Sequence, residues 1–172
     1  MPTSINGIPV HPLLVHIPVI LLPLVTVGLL LMVVWPAARA RFGWTTVVLA
    51  FAGLVGTVLA GQSGEDLQEA VRSTTDRAAI HEHAVLGDQL RLISLLLFLA
   101  VLGWQLLQTW SARRENGVGS RTILAAGLAP LLIGALSTVW VIRTGDTGAK
   151  QVWKNVHVTA EQGGEGGEGG GG

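Results

Sequence analysis

Imidazole and carboxylate are the side chains in this sequence whose chemistry is most specific. Five histidines, His11, His16, His81, His83 and His157, stand among 11 acidic and 11 basic residues, and there is no cysteine. Without thiols the chain itself supplies no disulfide, zinc knuckle, thiol nucleophile or cysteine-held iron–sulfur cluster. Neutral imidazole with carboxylate remains, a ligand set suited to zinc, copper, nickel or iron, or to an axial place on haem. His81-Glu82-His83 is not the His-Glu-x-x-His helix motif, so its spacing gives hydrolytic zinc chemistry no support. No nucleophile–base pair stands out, so an enzyme reading rests on nothing but polar residues near lipid; the sequence leans against one and leaves the question open.

The elements that must position these groups follow from where charge is missing. Met1 to Ala38, Phe42 to Gly64, Leu92 to Ala112 and Thr122 to Ile142 contain no Asp, Glu, Lys or Arg. A helix crossing a hydrocarbon core of roughly 30 Å needs about 20 apolar residues, and each interval supplies them. Charged residues are 13% of the chain and hydrophobic ones 49%, against roughly 25% charged in soluble domains. The net charge of zero offers nucleic acid no attraction and makes no polybasic anchor. The fold class expected is therefore all-α, an integral membrane four-helix bundle in the lipid bilayer. Its helices would cover about 12–35, 43–63, 74–111 and 121–143 of a domain spanning 1–160, followed by a disordered Gly/Glu tail at 161–172.

No Lys or Arg precedes the first run, and its apolar stretch exceeds a signal-peptide h-region, so it reads as a span. Trp35, Trp44 and Trp110 fall at ends that share one face, and Trp140 near the other. The short loops carry Arg39, Arg41, Arg113, Arg114 and Arg121, which places them in the cytoplasm and both termini outside. Ala52, Gly56 and Ala60, and likewise Ala126, Pro130 and Gly134, are small residues at helix-packing spacing. Pro18 and Pro23 predict an irregular start to the first helix and a carbonyl freed near His16. Leu67, Ala70 and Val71 among charged neighbours extend the second helix as an amphipathic segment, and Ser73 with Asp76 resembles a capping box that starts the third helix before the membrane.

An even number of crossings puts all five histidines on one face. Counting roughly 30 Å inward from the tryptophan ends sets His16 level with Ser63, Arg91 and Ile142. The polar layer expected there contains His16, Glu65, Asp66, Asp88, Arg91, Arg143 and Asp146, with His11 and His83 about 8 to 12 Å further out. His81, Asp88 and Arg91 share one face of the third helix, and His83 lies about 200° from His81, so only one of that pair can point inward. Haem b or a transition metal would take its ligands from His11, His16 and His83, and the depths favour His11 with His83 over His16 with His83. A metal ion could use His11, His83 and Asp66, with Glu65, His81, Asp88, Arg91, Arg143 and Asp146 as the supporting layer. In the competing reading the same groups only fasten helix ends, Asp88 to Arg91 and His16 to the freed carbonyl.

Three stretches resemble a known family. His11-Pro12-Leu13-Leu14-Val15-His16-Ile17-Pro18 is similar to the His-Pro-x-x-Val-His-x-Pro opening of the bacterial membrane proteins grouped as domain of unknown function 2231. Ala60 to Asp66 resembles that family's small-residue stretch ending in an acid, and Thr144 to Trp153 its Gly-rich stretch near the end. Here the last stretch closes on Val152-Trp153 instead of an aliphatic-tyrosine pair, with Lys150 where a small residue is common. The resemblance implies a bacterial four-span membrane protein without an established activity, and its pattern carries over to His11, His16 and Asp66. Relatives joined to Rieske-type or cytochrome-like domains imply, by association, a redox accessory role. The sequence thus supports a redox accessory or haem- or metal-binding subunit working with a membrane or extracytoplasmic redox protein. The alternatives are a structural or partner-binding subunit without cofactor, and a small-solute or proton transporter. It leaves the cofactor and the oligomeric state open.

Overall fold

A computed structural model describes residues 4–70 and 77–153. The capping box at Ser73 and Asp76, His157 and the 161–172 tail lie outside the described residues. The chain opens with a hairpin of β1 (Ser4–Ile5) and β2 (Ile8–Pro9), which the sequence reading did not anticipate. Its turn needs two positive φ angles, met by Asn6 at 51° and Gly7 at 79°, residues that tolerate the left-handed region.

Five helices follow: α1 (Val10–Leu14), α2 (His16–Val34), α3 (Pro36–Ala70), α4 (Arg77–Ala112) and α5 (Ser120–Trp153). The break at Val15 is the irregular start expected from the prolines. Ending α1 at Leu14 and restarting at His16 places Pro18 in the first turn of α2, where a missing N–H interrupts no intrahelical bond. Pro23 stays inside α2. At the other end Trp35 alone separates α2 from α3, because Pro36 is preorganised for a first helical position. The helix therefore begins before residue 43 and takes in Arg39 and Arg41. A larger difference concerns α5, which continues past Arg143 to Trp153. Its polar end stays helical through Lys150 Nζ donating to Asp146 Oδ2 at 2.6 Å, and through Thr144 and Thr147 donating to the carbonyls of Trp140 and Thr144.

Helices α2 to α5 pack in a ring, each on the next, with α5 closing back on α2. Leu22, Val25, Leu29 and Met32 of α2 meet Val47 and Ala50 of α3, Leu97, Val101 and Trp104 of α4 and Val141 of α5 in the core. Hydroxyls also bridge helices: buried Thr57 with Ser94 at 2.9 Å, and half-buried Thr26 with Thr138 at 3.0 Å. The surface, by contrast, is apolar. Leu132 (70%), Ile142 (65%) and Val48 (62%) are exposed, an arrangement that suits acyl chains and not water. Four helical segments, Val10–Val34, Pro36–Glu69, Ile80–Ala112 and Ser120–Lys150, are long and apolar enough to cross a membrane.

The small residues do the packing expected of them. A Cβ on Gly56 would stand 2.5 Å from Ile17 Cγ2, and one on Gly134 would stand 2.9 Å from Thr26 Oγ1. Such approaches let backbones close up where lipid supplies no hydrophobic drive between helices.

Candidate functional site

His11 rides on α1, a single short helix lying against α3. Its Nδ1 donates to the Ala60 carbonyl at 2.8 Å and lies 3.3 Å from Ser63 Oγ. A carbonyl can only accept, so in the neutral ring the proton sits on Nδ1 and the Nε2 lone pair is left over. Ser63 Oγ donates to the same Ala60 carbonyl at 2.9 Å, which leaves it an acceptor toward the ring.

His83 reaches the same tautomer by another route. Its Nδ1 is 3.1 Å from Thr147 Oγ1 of α5, whose own hydrogen goes to the Thr144 carbonyl at 2.9 Å. Thr147 must therefore accept, Nδ1 donates, and Nε2 again keeps its lone pair. The rings of His11 and His83 lie 6.1 Å apart between centroids with planes at 89°. Each is seated on a glycine: a Cβ at Gly64 would be 3.1 Å from His11 Cε1, and one at Gly148 would be 3.0 Å from His83 Cε1.

The other candidates stand apart from this pair. His16 is exposed, and its Nδ1 donates to the Pro12 carbonyl at 2.7 Å, one turn back across the proline-induced break. His81 is exposed while His83 is half-buried, so the inward member of the pair is His83. Arg91 Nη2 donates to Glu65 Oε1 at 3.1 Å and to Asp88 Oδ1 at 2.9 Å, with the guanidinium laid over Gly61. Arg143 stacks 5.6 Å from the Trp140 ring, and Asp146 pairs with Lys150. Asp66 is half-buried on α3. Among the described residues no group of three or more His, Cys, Asp or Glu gathers as a metal cage, so the three-ligand set of His11, His83 and Asp66 is not assembled. Its two imidazoles are.

Sequence reasoning passed over Ala60, Gly64, Thr147 and Gly148 as site residues. Their signal lay in the motifs themselves. The opening stretch supplies His11, the second supplies Ala60, Ser63 and Gly64, and the third supplies Thr147 and Gly148. His83 comes from outside all three and completes the meeting point.

A ring of long helices with an apolar outer face, open polar chemistry only at its ends and four segments able to cross defines a multi-pass integral membrane protein of the lipid bilayer. The chain belongs to the family described as "Predicted membrane protein (DUF2231)", whose model matches residues 7–160. Neither curated proteins nor solved structures give a match to it.

Proposed function

We propose that His11 and His83 are paired ligands to one metal-centred group, and that the protein is a redox accessory subunit or carrier for that group. The observation that carries this reading is the contact of two imidazoles from distant parts of the chain, each anchored through Nδ1 with Nε2 left to bind. Metal-ligating histidines are held in this way, by an outer acceptor that fixes the tautomer. A bare zinc ion asks for three or four protein ligands, more than this pair provides. Haem brings its own four nitrogens and needs at most two axial side chains, so haem b is the class the residues fit. When bound it would supply one-electron chemistry. The protein's part is to hold both rings in place, with the Ala60 carbonyl, Ser63 and Thr147 as acceptors and Gly64 and Gly148 leaving them room.

In this reading the membrane is a bacterial cell membrane. The arginine-rich short loops face the cytoplasm, and the histidine end faces outward toward a membrane or extracytoplasmic redox partner. Transport is less favoured, because the charge-free stretches leave no ionisable group mid-span to handle a coupling ion. A structural role without cofactor is the second reading, favoured by the same Nδ1 bonds: they tie α1 to α3 and α4 to α5.

Absorbance of the protein purified from its own membrane, and again after added haem, separates the two. The proposal expects a reducible Soret band that is lost in His11→Ala and in His83→Ala. Colourless wild-type protein that takes up no haem contradicts it and leaves the structural role.

A further inference from the structure

At the opposite end of the bundle, α4 ends beside a cavity of about 490 Å³ lined by Leu106, Thr109, Trp110, Arg113 and Arg114. The Arg114 guanidinium lies over the Trp110 ring, 4.4 Å from its centroid, a cation–π distance that holds the cation against the aromatic face. Leu106 and Trp110 are 49% and 45% exposed, toward the lipid side. Among the described residues neither Arg113 nor Arg114 has a carboxylate within ion-pair distance. The helix ends and turn at this end carry Arg39, Arg41, Arg113, Arg114 and Arg121 against Glu115 alone.

We infer that this cavity binds the headgroup of an anionic phospholipid, with the phosphodiester between Arg113 and Arg114 and an acyl chain along Leu106 and Trp110. Three features converge on that chemistry. Two arginines line the cavity and guanidinium groups match phosphate oxygens, the aromatic and the leucine line an apolar way out, and the level is the water boundary marked by exposed Trp35, Trp44 and Trp110. The groove at the histidine end differs in charge. It is lined by Leu54, Val55, Val58, Leu59, Leu92 and Leu95 around Arg91, but Arg91 is already bracketed by Glu65 and Asp88. Anion binding is therefore assigned to the Arg113–Arg114 cavity. The site is independent of any group held by the histidines.

The test uses the full chain in mixed micelles containing equal amounts of phosphatidylglycerol and phosphatidylcholine with identical acyl chains, and counts retained lipid by native mass spectrometry. Preferential retention of phosphatidylglycerol is expected. The double variant Arg113→Gln/Arg114→Gln should weaken it roughly 30-fold. Arg39→Gln/Arg41→Gln removes equal charge from the same face outside the cavity and should weaken it far less. Arg114→Lys keeps the charge that sets topology and should weaken retention about two- to fivefold through loss of stacking on Trp110. Equal retention of both lipids, equal losses in the two double variants, or displacement by inorganic phosphate as readily as by phosphatidylglycerol each overturns the inference.

Discussion

An imidazole whose Nδ1 is tied to an acceptor has one nitrogen left, and what fixes that nitrogen's role is a neighbour outside the ring. For His83 the neighbour is Thr147, so Thr147→Val removes that acceptor and leaves the Thr144 carbonyl as the ring's backbone partner. That should cost about 0.5–1.5 kcal/mol of stability in thermal or denaturant unfolding, with Thr147→Ser close to wild type. If the pair holds a metal-centred group, affinity for it should also fall roughly 10–100-fold, read by titrating added haem against absorbance. Wild-type stability and affinity in the valine variant would remove Thr147 from the account. Ser63→Ala should do less, about 0.5–1 kcal/mol, because the Ala60 carbonyl still accepts from His11 at the shorter distance of 2.8 Å.

Between helices, close approach should matter more than hydrogen bonding. Gly56→Ala drives a Cβ into Ile17 and Pro18, neither of which has a flexible end to move aside. It should destabilise by about 1–3 kcal/mol. Thr57→Val loses the bond to Ser94, and Ser94 Oγ still donates to the Arg91 carbonyl. Interhelical hydrogen bonds in membranes average about 0.6 kcal/mol, so this is the milder change. Reversible unfolding in mixed micelles ranks the two, and the opposite order would mean that the packing account is wrong. The elements themselves were largely legible beforehand. Charge-free intervals located four crossings, and Pro18 with Pro23 located the irregular start now seen as the break at Val15. The ends were harder to read. Arg143 to Lys150 has the polarity of a loop, and its helicity depends on an Asp146–Lys150 pair and on threonine back-bonds that polarity alone does not reveal. Similarly, counting depth favoured His11 over His16 as a neighbour of His83, and the rings do meet. Thr147 as the anchor of His83 depends on how α4 and α5 are rotated against each other, which periodicity within one helix cannot supply.

At the scale of the whole chain, four crossings turn separation in sequence into proximity at one water boundary. His11 belongs to the first crossing, Ser63 and Gly64 to the second, His83 to the third, and Thr147 and Gly148 to the fourth. The same parity gathers the arginines beside both short connections at the other boundary, away from the imidazoles. Because the chain contains no cysteine, single and paired cysteines can be introduced without background. The most direct test replaces His11 and His83 by cysteine in the full chain and adds an impermeant thiol reagent to sealed vesicles from one side, then a short bifunctional maleimide. Both positions should react from the same side, and the maleimide should join them within one chain. Labelling of the two positions from opposite sides, or failure of the reagent to join them while each reacts singly, would contradict the shared site.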